Sequence, residues 1–181
     1  LPDYPTLETV RALLDFQPGI PAIDTHMAYT MSLALRTLLR SKPLGNEVAT
    51  TNWSPTQRAI LATPMSGVNE PYAGQFLVHS VNILTLAKDD ELKFLGHAAR
   101  FLPPTERDNL VAFIRQKYDT DRSSQFVLFR IIQQSMKQRP GGAMSASLKQ
   151  WALVLANQLA TVQPTDWSFN LAEFLYLKDH P

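Results

Sequence analysis

The strongest constraint on this chain is a helical period cut into short pieces by proline and glycine. Apolar side chains recur every three or four residues, the spacing that lines one face of an α-helix. Leu7, Val10, Leu13 and Leu14 form the first run, with Thr6 as its cap and Pro18-Gly19 as its stop. Asp24 is placed to cap a second helix, whose stripe is Met27, Met31, Leu35 and Leu38. Arg36 and Arg40 fall near its C-terminus, where positive charge suits the helix dipole. Residues 41–53 read as a loop. Ser54-Pro55 is a cap followed by proline at the first helical position, opening a short helix to about Thr63.

Residues 64–71 hold two prolines, a glycine and an asparagine, and are the candidate hinge. Phe76, Leu77, Ile83 and Leu84 predict a helix running to about Lys88, with a strand as the competing reading because Val78, Val81 and Ile83 are β-branched. Asp89 to Phe101 reads as a helix whose three leading acids favour its N-terminus, with Pro103-Pro104 as its end. Beyond Thr105, one helix carries Leu110, Val111, Ile114 and Tyr118, and another, started by Asp121 or Ser123, carries Phe126, Phe129, Ile132 and Met136. Arg139-Pro140-Gly141-Gly142 is a break. Ser145 then caps a helix with Leu148, Trp151, Leu155, Leu159 and Val162, and Trp167, Leu171, Phe174 and Leu175 make the last. The expected fold is all-α: a single compact multi-helix domain of about eight helices over residues 1–181.

Composition agrees. In 181 residues, 45% are hydrophobic and 18% charged, a globular balance that buries a core without staples. Cysteine is absent, which removes disulfides, thiolate metal sites and cysteine nucleophiles together. The chain opens on Leu1 and stops at His180-Pro181 straight after an apolar segment, which predicts a piece of a longer protein. The longest uncharged stretch, Pro71 to Ala87, contains Gln75, His79, Ser80 and Asn82 and is too polar to span a bilayer.

Motifs for catalysis are missing. His26, His79, His97 and His180 are far apart and form no ligand pair, so no metal or other cofactor is expected. His97, between Gly96 and Ala98, reads as a packed or partly solvated helix residue. No GxSxG occurs, and Gly141-Gly142 lacks the lysine and spacing of a phosphate loop. Asp89-Asp90-Glu91 reads as a helix start rather than a cation site, because three consecutive acids on a helix point in different directions. Trp151 and Trp167 read as core anchors, and Trp53, just before a cap, as a hydrophobic staple. The chain is read as having no enzymatic activity.

One charge asymmetry stands out. Residues 115–149 carry seven positive side chains against Asp119 and Asp121, a local balance of +5 in a chain of net +1. Arg130, Gln133, Gln134 and Lys137 are spaced to share a helix face. A solvated helix face accounts for this pattern. The functional alternative makes Arg115, Lys117, Arg122, Arg130, Lys137 and Arg139 a candidate surface for an acidic partner. The arginine fork suits carboxylate and phosphate alike, so residue type does not choose between acidic protein and nucleic acid. No aromatic is interleaved on that face for base stacking, which disfavours nucleic acid.

Two stretches bear on family. The first is Leu95-Gly96, then Leu102-Pro103-Pro104-Thr105-Glu106-Arg107, Leu110-Val111-Ala112-Phe113 and Asp121-Arg122. The second is Ala172-Glu173-Phe174-Leu175-Tyr176-Leu177-Lys178, with Tyr176 where a tryptophan is usual. In this order they resemble the DotM/IcmP/TrbA family of type IVB secretion and conjugation systems, over residues 92–181. The resemblance implies a membrane-anchored parent protein whose cytoplasmic helical domain is this chain, at the cytoplasmic face of the bacterial inner membrane. It implies a non-catalytic adaptor or scaffold in a coupling complex, with the coupling ATPase, other secretion-complex proteins and acidic protein segments as partners. The competing function classes are a nucleic-acid-binding helical domain of a plasmid or viral nucleoprotein, and a helical enzyme whose site no motif marks.

Overall fold

A computed structural model of the chain describes residues 5–137 and 145–160, with side chains described to 135 and over 145–158. The described residues hold nine α-helices and one short 3-10 turn, and no strand, so the chain is all-α as its periodicity predicts. The chain divides into two compact units, Leu1–Pro103 and Pro104–Pro181.

The first unit contains α1 (Leu7–Phe16), the 3-10 turn Gln17–Gly19, α2 (Thr25–Leu39), α3 (Lys42–Thr50), α4 (Pro55–Met65), α5 (Pro71–Ile83) and α6 (Lys88–Phe101). Its helix starts follow short polar side chains. Thr6 Oγ1 accepts from the Thr9 amide at 3.3 Å, and Asp24 Oδ1 accepts from the Met27 amide at 2.9 Å. At α4 the cap is reciprocal: Ser54 Oγ accepts from the Gln57 amide at 3.2 Å, while Gln57 Oε1 accepts from the Ser54 amide at 3.3 Å. Each cap occupies a backbone donor that the helix itself cannot use.

Three expectations need correction. Residues 41–53 are not all loop, because Lys42–Thr50 forms α3. Its Pro43, Gly45, Asn46 and Thr50 are weak helix formers, and tertiary burial of Leu44, Gly45 and Val48 outweighs that preference. The helix expected to reach Lys88 stops at Ile83, and Lys88 opens α6 instead. On α2 the buried ladder is Met31, Leu35 and Leu39, an i, i+4 row, rather than Met27 to Leu38; Met27 is exposed. The segment 64–71 lies within the first unit: Pro64 and Met65 end α4, Val68 is buried, and Pro71 opens α5.

α5 is central to this unit and packs against α3, α4 and α6. Its buried face includes Tyr72, Ala73, Phe76, Leu77 and Val81. Small residues set its approach to α6. A Cβ on Gly74 would lie 3.1 Å from Leu102 Cγ and 3.3 Å from Ala98 Cα, so glycine permits this contact. α2 packs on α3 and α4, and its Leu35 and Leu39 are fully buried.

The second unit contains α7 (Pro104–Lys117), α8 (Arg122–Lys137) and α9 (Ala146–Ala160), each packed on the other two. Pro103-Pro104 separates α6 from α7, and Pro104 is itself the first residue of α7, where its missing N–H has no helical partner to lose. Asp121 starts α8: its Oδ1 accepts from the Ser124 amide at 3.0 Å. Ser145 starts α9: its Oγ accepts from the Leu148 amide at 3.2 Å and donates to Asp108 Oδ1 of α7 at 2.6 Å. The core joins Leu110, Val111 and Ile114 to Phe129, Ile132, Trp151 and Leu155. Trp151 is fully buried and meets Phe129 edge-on at 5.3 Å between ring centroids. The break at 139–142 and the helix carrying Trp167, Leu171, Phe174 and Leu175 lie outside the described residues, as does the Leu159 and Val162 part of the preceding stripe.

Candidate functional site

The six basic residues singled out from sequence fall in the second unit. Arg115 and Lys117 are exposed in the last turn of α7, where the helix dipole favours cations. Tyr118–Asp121 is a tight turn, with the Asp121 amide donating to the Tyr118 carbonyl at 3.1 Å. It brings the end of α7 to the start of α8, so Arg115, Lys117 and the exposed Arg122 share one end of this helix pair. Lys117 also lies over the Tyr118 ring, 5.9 Å from its centroid.

Arg130 is exposed on α8 about 12 Å along the axis from Arg122, from eight residues of helical rise. The exposed row of α8 runs Ser123, Val127, Arg130, Gln134, a three-to-four spacing that the backbone position of Lys137 continues. The side chain of Lys137 and the whole of Arg139 lie outside the described residues. The structure thus gathers three of the six at one helix end and sets Arg130 further along α8.

Histidines are dispersed. His26 and His79 are exposed on α2 and α5, and His180 lies outside the described residues. His97 of α6 is half-buried; its Nε2 donates to the Val68 carbonyl at 2.9 Å, and its ring lies 4.6 Å from that of Phe101. Among the described residues no group of three or more His, Asp or Glu side chains is placed to hold a metal ion. Asp89, Asp90 and Glu91 occupy the first turn of α6, as a helix start requires.

Trp53 is buried, and its indole N–H donates to the Val48 carbonyl at 2.8 Å. It therefore ties the end of α3 to the start of α4, with the Arg11 guanidinium 5.1 Å from its ring.

Sequence reasoning gave no notice of Arg58. This α4 residue is only 3% exposed, and its guanidinium lies 4.6 Å from the centroid of the Phe76 ring on α5. Its Nε and Nη1 are buried with no hydrogen-bond partner. Each unsatisfied buried donor costs about 1–3 kcal/mol. Burial holds the guanidinium below its ordinary range. The neighbouring His79 is held below its ordinary value, first by partial burial and then by the charge of Arg58.

A second unanticipated feature is apolar. Every residue of the first half of α2, from 25 to 30, is exposed. Ile23 is 92% exposed, and Phe16, Met27, Tyr29 and Leu33 are also open to solvent. Beside them a cleft of about 380 Å³ lies between α2 and α4, lined by Gln17, Ala28, Ser32, Leu35, Ala59, Ile60, Thr63 and Pro64. Pro64 has no N–H to offer the Ile60 carbonyl, and Gln17 Oε1 is buried without a donor.

Among the described residues, no helix is long and apolar enough to cross a membrane. No family model, curated protein or solved structure matches this chain.

Proposed function

We propose that this chain is a non-catalytic helical adaptor that docks acidic protein segments through its second unit. The observation that carries the reading is the clustering of Arg115, Lys117 and Arg122 at the joined ends of α7 and α8, with Arg130 on the exposed row of α8. Cations from two helices stand at one helix end, which a single solvated helix face does not offer. The exposed apolar side chains of α2 support a protein-binding role as well, since a monomer rarely leaves neighbouring large apolar groups uncovered. Together with the resemblance to the DotM/IcmP/TrbA family, these features favour a place in a type IV secretion or conjugation coupling complex, at the cytoplasmic face of the inner membrane. Its partners there are the coupling ATPase and acidic segments of transported proteins.

The test is binding of a fluorescent Glu-rich peptide, read by anisotropy, to the chain and to its R122E/R130E variant. Exposed ion pairs contribute about 0–1 kcal/mol each, so reversing two charges weakens binding about tenfold or more. The melting temperature stays nearly unchanged, because both side chains are exposed. Unaltered peptide affinity in the variant overturns the reading. A single-stranded or duplex oligonucleotide binding more tightly than the peptide, with a steep linear fall in log affinity against log salt, transfers the surface to nucleic acid.

A further inference from the structure

Among the described residues, Arg58 is the one charged side chain that is buried. Its Nε and Nη1 carry three of the five guanidinium N–H groups, and none of the three has an acceptor. No carboxylate is paired with it among the described residues. The Phe76 ring, 4.6 Å away, offers its π-face to the positive charge but gives the N–H groups no oxygen to bond. A desolvated cation with idle donors is an arrangement that a fold sustains when something else supplies the negative charge.

The position of Arg58 suits an external supplier. Phe76 and His79 stand three residues apart on α5 and so on neighbouring positions of one helix face. His79 is exposed, which brings that end of the α4–α5 seam to solvent. Arg58 therefore lies beneath the surface on Phe76, with the exposed His79 one turn along α5 and close enough to feel its charge. We propose that the α4–α5 seam at Arg58 and His79 is an oxyanion-binding site for the phosphate or carboxylate group of a small solute, anchored by the Arg58 guanidinium with the His79 imidazole at its mouth. The site belongs to the first unit and is independent of the basic residues of α7 and α8. An anion seated there accepts from the idle donors of Arg58, and its charge favours a protonated His79, which partial burial and then the charge of Arg58 disfavour.

Thermal melts of the chain in inorganic phosphate, in acetate and in chloride at matched ionic strength test this. With an anion at about ten times its dissociation constant, the melting temperature rises about 3–6 °C above the chloride control. A rise in phosphate alone identifies a phosphate site, and a rise in acetate alone a carboxylate site. Arg58→Met removes the anchor together with its desolvation penalty, so the variant folds at least as well as the parent in chloride and shows no anion-dependent rise. As a second measurement on the parent chain, the His79 imidazole followed by NMR titrates at a higher pH in the stabilising anion than in chloride. No rise in either anion overturns the proposal. So does a rise that persists in Arg58→Met, or a His79 titration that the anion leaves unmoved.

Discussion

The indole N–H of Trp151 donates to Gln125 Oε1 at 3.0 Å, and the amide of that same glutamine donates to the Tyr118 carbonyl at 2.6 Å. One buried side chain thus joins α9, α8 and the turn that ends α7. Gln125→Leu leaves the indole donor without its partner inside the core and takes the glutamine donor from the Tyr118 carbonyl, which keeps the Asp121 amide. The expected loss is about 1–3 kcal/mol in chemical denaturation. Trp151→Ala, which empties a fully buried site, costs about 3–5 kcal/mol. Because the two residues are in contact, their combined effect falls short of the sum.

His97 sets an acid limit on the first unit. Burial pushes its imidazole below its ordinary value; the hydrogen bond to Val68 opposes this, and the charges of Arg100 and Lys93 add to the lowering. The folded state therefore prefers neutral His97. Its contribution to stability is complete above the unfolded value of about 6.5 and is lost as pH falls through the lower folded value. Melting temperature should drop as pH falls below about 6.5 on this account. His97→Gln, which keeps a donor for the Val68 carbonyl but does not titrate, should flatten that part of the profile. An equal slope in the variant assigns the pH dependence to other groups.

Gly45 of α3 faces the Tyr72 ring so closely that an added Cβ would run into it. Tyr72 is pinned there, its hydroxyl donating to the Leu39 carbonyl at 2.7 Å. Gly45→Ala, although it raises helix propensity, should lower stability by about 1–3 kcal/mol through overpacking. A stabilised variant would mean that the ring moves aside without loss.

The reciprocal cap at α4 gives a smaller and cleaner test. Ser54→Ala removes the acceptor for the Gln57 amide and should cost about 0.5–2 kcal/mol, while Ser54→Asp keeps an acceptor and should cost less. The difference is read from denaturant midpoints at constant slope.

Much of this fold is legible in the sequence where the cause is local. Thr6, Asp24, Ser54, Asp121 and Ser145 announce helix starts because a short polar side chain before an apolar period has one use there. α3 is hidden because its residues are poor helix formers and its stability comes from distant partners such as Tyr72. His97 reads as a packed helix residue, yet its acceptor, the Val68 carbonyl, lies 29 positions away and has no local signal. The charge excess of residues 115–149 is countable, but its division between a helix end and the row along α8 follows from the turn at Tyr118–Asp121. Arg58 gives no signal of its own, since an arginine is ordinarily exposed and the apolar run Ala59-Ile60-Leu61 that follows it needs no buried cation.

The division into two units has a spectroscopic consequence. Trp53 belongs to the first and Trp151 to the second, each buried and each hydrogen-bonded within its own unit. The chain has one further tryptophan, Trp167. With Trp167→Phe in the background, variants that keep Trp53 or Trp151 alone emit from one unit at a time. Superimposable denaturation curves from the two emitters would mark a single cooperative transition, and separated midpoints would give each unit its own free energy of unfolding.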